Sequence, residues 1–214
     1  MSTAKRICKC CRAFKSKTSF VMSDVFEAEA ATVVDPNQSY IRAYRHMLSS
    51  LEALDEFAES DFIRAAHMVY GWMPTILEIY ADQPLTVAQG AALLTKAKKD
   101  GVLSHVELGQ LAQLVNHSMV GASKLLHMVN PAAFPIWDSR IYRFVHGQTA
   151  HQYRVNNVSA YEHYMLILGE LQKDRRFVEL RASVNRKMGY PVTALRALEV
   201  VMFLNSDTQA SKDL

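Results

Sequence analysis

SHVELGQLAQLVNHSMVGASKLLHMV, residues 104–129, is the stretch that decides the fold. Ser104 is followed three residues later by Glu107, the pattern of a capping box, and Leu108, Leu111, Ala112 and Val115 then recur at helical spacing. Asn116 marks the end of that helix. His117 to Gly121 is too short to separate anything but two antiparallel neighbours, and Ser123 to Val129 resumes the helical pattern. The expected product is a helical hairpin near residues 105–129.

Working outward, nearly every segment after residue 36 shows the same spacing of three and four. Helices are predicted from Ser39 to about Leu51 and from Ser60 to Tyr70. The second of these carries a stripe of Phe62, Ala65, Ala66 and Val69, and Gly71 and Pro74 end it. Thr86 caps a further helix that stops at Gly101. Beyond the hairpin, Pro131 and Pro135 bracket an extended linker with Phe134 and Ile136 as apolar anchors, and Asp138 opens a helix ending near Gly147. A polar loop over His151 to Val158 precedes helices at 159–174 and 175–188, and Thr193 to Asn205 forms the last. No segment alternates as a strand would. The reading is an all-α protein, with one domain of two helical lobes over residues 22–206 and a flexible tail at 207–214.

Half of the 214 residues are apolar, enough to bury a substantial core. Apolar runs such as Leu195 to Leu204, with Arg196 and Glu199 inside, are too short and too charged to span a bilayer, and the start lacks the apolar block of a secretory signal. Cys8, Cys10 and Cys11 sit together with no cysteine elsewhere. That excludes a disulfide framework and points to a reducing cytoplasm; without Cys-x-x-Cys spacing or a fourth ligand they predict no metal site.

The net charge of +3 is unevenly distributed. Residues 1–21 carry Lys5, Arg6, Lys9, Arg12, Lys15 and Lys17 with no acid, and Met22 offers an alternative start, so a disordered or extraneous leader is expected there. Residues 22–114 hold 6 basic and 13 acidic side chains, and residues 115–190 hold 10 and 5. A polyanion would prefer the second half.

Two segments within that half carry the chemistry: Met119-Val120-Gly121-Ala122-Ser123-Lys124-Leu125-Leu126, and Phe134-Pro135-Ile136-Trp137-Asp138-Ser139-Arg140-Ile141-Tyr142-Arg143. Together they resemble the signature of the helix-hairpin-helix DNA glycosylases: a Gly-Val-Gly turn, a helix, a linker, and an apolar-x-Asp-x-x-Val/Ile-x-Arg helix start. The similarity covers about 30 residues; Met119 stands where the turn's first glycine would be, and the linker is shorter than in the family.

The resemblance implies a two-lobed glycosylase-like bundle that flips a base out of DNA. Asp138 would stabilise the oxocarbenium-like transition state as water cleaves the glycosidic bond. Val120, Gly121, Ser123, Lys124, Arg140 and Arg143 would contact the DNA backbone, the glycine allowing a phosphate to approach closely. Members that also cut the strand use a lysine nucleophile on the second hairpin helix. That position falls on Ser123, and Lys124 lies one residue further, about 100° around the helix. A water-using enzyme is therefore the first expectation and a glycosylase-lyase using Lys124 the alternative.

Tyr70, Trp72 and Trp137 are candidate walls of a base pocket, though Trp137 also suits the core. His117 and His127 flank the hairpin and are given no catalytic role. Lys173, Arg175, Arg176, Arg181, Arg186 and Lys187, with Arg154, form a candidate basic face along DNA. The family's iron–sulfur cluster is excluded because no cysteine follows the catalytic helix, whereas a structural monovalent cation on hairpin carbonyls is compatible. A monomer acting on DNA is expected, its target either a damaged base or a modified base of phage DNA.

Two other classes stand beside this reading: a helical DNA-binding module that catalyses nothing, and a helical interaction protein whose basic half docks on an acidic partner. A concave site with Asp138 facing into it argues for an enzyme; an Asp138 side chain spent entirely on its own helix amides argues against one.

Overall fold

A computed structural model describes residues 25–73, 75–81 and 84–206. The expected basic leader, with Cys8, Cys10 and Cys11, the tail at 207–214, and Pro74 lie outside the described residues. The rest is helical: α1 (25–31), α2 (Ser39–Glu52), α3 (Glu59–Trp72), α4 (Val87–Asp100), α5 (His105–Leu114), α6 (Met119–Val129), α7 (Ser139–His146), α8 (Gln152–Val155), α9 (Val158–Leu171), α10 (Phe177–Met188) and α11 (Ala194–Leu204). Among the described residues the only β feature is an isolated bridge between Ile79 and Val115. The protein is all-α, and no helix among the described residues is long and apolar enough to cross a membrane.

Local chemistry explains most of the helix boundaries. Thr86 accepts the Gln89 amide at the start of α4, and Gly101 ends that helix in the left-handed region at φ 67°. Ser104 and Glu107 form the expected capping box on α5, and Lys96 adds an ion pair to Glu107 at 2.7 Å. The lysine's hydrogen bond, then the Ser104 amide, hold the Glu107 carboxyl down at about 2.

The hairpin departs from expectation at its turn. Helix α6 starts at Met119, four residues early, because Ser118 is its N-cap and accepts the Gly121 amide at 3.1 Å. The turn is made by Asn116 (φ 55°) and His117 (φ 47°), both left-handed without being glycine. The Asn116 side chain offsets that cost: Nδ2 donates to the Ile76 carbonyl at 2.9 Å and Oδ1 accepts the Glu78 amide at 2.8 Å. His117 lies on the Tyr80 ring, 4.1 Å between centroids. The segment after α3 is thereby bound to the hairpin tip. Two elements were not expected: α1, and the short α8 inside the polar loop.

Helix α6 is the hub of the first group, with α2, α3, α4 and α5 packed around it. It is buried nearly all round, as a helix without a polar face must be. In the second group α11, buried from Leu195 to Met202, packs on α7 and α10. The linker after α6 joins the two groups. Phe134, Ile136 and Trp137 are buried in it, Trp137 Nε1 donates to the Val155 carbonyl at 2.8 Å, and the Tyr161 hydroxyl donates to the Pro135 carbonyl at 3.1 Å.

Gly121 is glycine for a packing reason: a Cβ there would collide with the Tyr70 hydroxyl and its ring carbon. Gly121→Ala should therefore cost about 1–3 kcal/mol from overpacking. Gly169→Ala, where a Cβ meets nothing within 4 Å on a helix, should be neutral or stabilising by up to about 1 kcal/mol. Urea denaturation of the two variants checks the contrast, and Tyr70→Phe should restore part of the Gly121→Ala loss.

Candidate functional site

Asp138 is the N-cap of α7. Its Oδ1 accepts the amides of Arg140 at 2.9 Å and Ile141 at 3.0 Å, which locks the carboxylate plane. Its Oδ2 points the other way, 3.6 Å from the Lys124 ammonium; the two side chains are 11% and 14% exposed. The group is thus both a cap and a pocket residue, one oxygen serving each purpose.

That pocket is a cavity of about 510 Å³ between the two helix groups. Lys124 and Asp138 stand on its wall, Trp72 and Tyr40 close one side, and Arg196, Glu199 and Phe203 of α11 close the other. Trp72 Nε1 donates to the Tyr40 carbonyl at 3.0 Å, fixing the ring, and Lys124 Nζ lies 5.9 Å from the Trp72 centroid. Tyr40 and Phe203 tilt against each other at 5.9 Å, and the exposed Arg140 lays its guanidinium 4.7 Å over Phe203 at the rim. The size suits a small-molecule ligand.

Of the two residues at the position of the family's lysine nucleophile, Lys124 and not Ser123 reaches the cavity. Ser123 is fully buried; its hydroxyl accepts the Trp137 amide at 3.1 Å and lies 3.0 and 3.2 Å from the Val120 and Trp137 carbonyls. It clamps the linker to α6 and cannot reach DNA. Lys124, one residue on, faces the cavity rather than solvent. Gly121 likewise packs on Tyr70 with its amide taken by Ser118, so the space foreseen for a phosphate is filled from inside.

Of the aromatic candidates only Trp72 lines the pocket. Tyr70 is buried under the hairpin, its hydroxyl 3.3 Å from the Val115 carbonyl. Trp137 is core, packed on Tyr142, Tyr164 and His146. Val120 and Arg143 are half-buried. The basic face is largely consumed within the chain: Lys173 pairs with Glu170, Arg176 with Asp174, Lys187 with Glu29, Arg181 donates to the Val192 carbonyl, and Arg154 contacts Tyr153 and Gln148.

The residues that sequence reasoning missed are Arg196 and Glu199. They form a fully buried ion pair on α11, and burial pushes the Glu199 carboxyl up, with Arg196 opposing and Asp138 adding to the rise. Their signal was present as two charges inside an otherwise apolar helix. Arg196 also lies 4.3 Å over the Tyr44 ring, and the Tyr44 hydroxyl donates to His127 Nε2 at 2.7 Å, leaving Nδ1 to donate to the Phe134 carbonyl at 2.7 Å. Among the described residues no three His, Cys, Asp or Glu side chains converge as a metal site.

A family model matches residues 85–205, more than half of the chain. The chain belongs to the DUF6308 family. Its description is a family of unknown function, and neither a curated protein nor a solved structure matches the chain. The DUF6308 region contains Lys124, Asp138, Arg196 and Glu199, whereas Tyr40 and Trp72 of the opposite wall precede it.

Burial holds the His127 ring neutral, its ionisation lowered to about 3 from 6.5. The unfolded chain then binds a proton that the folded one refuses, so stability falls as pH drops from about 6.5 toward 3, by at most about 1.4 kcal/mol per pH unit from this group. Denaturation curves across that window should show a shallower fall for His127→Gln than for the parent.

Proposed function

We propose that this member of DUF6308 is a DNA N-glycosylase, with Asp138 the group that supports cleavage. The observation that carries the reading is the division of labour in Asp138: one oxygen immobilised by two helix amides, the other turned into a cavity beside Lys124. A fixed carboxylate at that point can oppose the positive charge that develops on a sugar as its glycosidic bond breaks. The bond's electron pair leaves with the base, water adds to C1′, and the proton that water loses passes to Asp138. The target is a damaged base or a modified base of phage DNA. Arg140, over Phe203 at the rim, would meet the strand, and the resemblance of the 119–143 region is what points to DNA.

A second reading is favoured by one specific contact. Lys124, not Ser123, shares the pocket with Asp138, and a neutral amine there would attack C1′ itself. The base departs with the bonding pair, the sugar ring opens, and the amine becomes a Schiff base that leads to strand cleavage. Asp138, 3.6 Å away, would take the proton the amine gives up.

Incubation of purified protein with duplexes carrying single damaged bases, and with phage DNA of modified bases, tests both. Alkali-dependent breaks should fall about 10²–10⁴-fold in Asp138→Asn, a variant that keeps a competent N-cap. Breaks without alkali, and a borohydride-trapped protein–DNA adduct, both lost in Lys124→Ala, would establish the lyase. No break on any substrate would overturn both readings.

A further inference from the structure

A buried ion pair is a poor way to stabilise a protein, because desolvating two charges costs several kcal/mol and a hydrophobic pair of similar volume often does as well or better. Arg196 and Glu199 are nevertheless kept at 3% side-chain exposure each, and both border the same cavity as Asp138 and Lys124. Arg196 Nε has no hydrogen-bond partner, so the pair is incompletely satisfied. A group lodged in the cavity would find a donor and an acceptor side by side.

Their order along the pocket is defined. On α11, Arg196, Glu199 and Phe203 follow one another by about a turn each, and Phe203 lies under Arg140, two residues from Asp138. Glu199 is therefore nearer the Asp138 and Lys124 end, and Arg196, resting on Tyr44, is further from it. From the Asp138 end inward the pocket offers first an acceptor, then a donor.

We infer that the Arg196–Glu199 pair reads the edge of the base in this pocket and selects bases with a lactam edge, in which a ring N–H lies on the sugar side of a carbonyl. Hypoxanthine, guanine and uracil present that order, and the N–H meets the Glu199 carboxylate while the carbonyl meets the Arg196 guanidinium. Adenine and cytosine present the reverse, a ring lone pair toward the carboxylate and an amino group toward the guanidinium, and both contacts are repulsive. The aromatic walls of Trp72, Tyr40 and Phe203 accept either class by stacking, so the discrimination falls to the charged pair. This substrate class rests on the glycosylase reading, but base binding can be measured without it.

The experiment is titration of the full chain with free hypoxanthine, guanine, uracil, adenine and cytosine, followed by protein-observed NMR shifts of the pocket residues. The lactam bases should bind at least about tenfold more tightly than adenine and cytosine. Glu199→Gln, whose amide can turn to meet either edge, should shrink that ratio, which a purely structural role for Glu199 would leave unchanged. Equal binding of the two classes, preference for the amino bases, or binding of neither would overturn the inference; if neither Glu199→Gln nor Arg196→Lys folds, the parent's ratio alone decides it. Lactam selectivity without excision from any DNA would remove the glycosylase reading and keep this one. Excision indifferent to the edge would do the reverse.

Discussion

One buried hydroxyl sets the geometry on which the site depends. Ser123 accepts the Trp137 amide and lies against the Trp137 carbonyl, so a single side chain of α6 holds the linker in one register. Because Lys124 follows Ser123 and Asp138 follows Trp137, the clamp places the next residue of each segment together. The Lys124–Asp138 contact at 3.6 Å is thus a consequence of a neutral hydrogen-bonded pair fourteen residues apart. A buried backbone amide must find a partner, and serine is small enough to supply one inside a packed interface.

The clamp matters because α6 is the hub. Four helices lie around it, and a helix with no exposed face can carry a polar group only where that group is satisfied. Ser123 and His127 meet the condition with bonds to the linker and to Tyr44. Tyr44, bonded to His127, lies under Arg196, so the hub helix reaches the cavity at two points: through Lys124 beside Asp138, and through Tyr44 beneath Arg196 of the α11 pair.

Charge illustrates how composition and structure part company. The excess of basic residues in the second half of the chain reads as a polyanion surface, yet Lys173, Arg176, Lys187 and Arg181 are bonded within the fold, to Glu170, Asp174, Glu29 and the Val192 carbonyl. Counting charges cannot show which are neutralised at 3 Å. What survives at the cavity mouth is Arg140 on Phe203, and its position follows from the Asp138 cap, which starts α7 and turns the next residues outward.

Local chemistry determined all but two of the helices, α1 and α8, and most of their ends. Apolar spacing, the Ser104–Glu107 box, the Thr86, Asp138 and Thr193 caps and the glycines at 101 and 147 act over three or four residues, so they are legible without a fold. Asp138 as a helix cap was legible for the same reason. What only the tertiary structure decided was which neighbours those residues face. Asn116 and His117 adopt the left-handed turn because a distant segment, residues 76–80, bonds to them. Gly121 is small because Tyr70 approaches from α3, Trp137 is core because Tyr164 and Val155 surround it, and Glu199 joins the site because α11 packs on α7. Each of these contacts spans tens of residues, and a period of 3.6 records only that a side chain turns inward, not what it meets there.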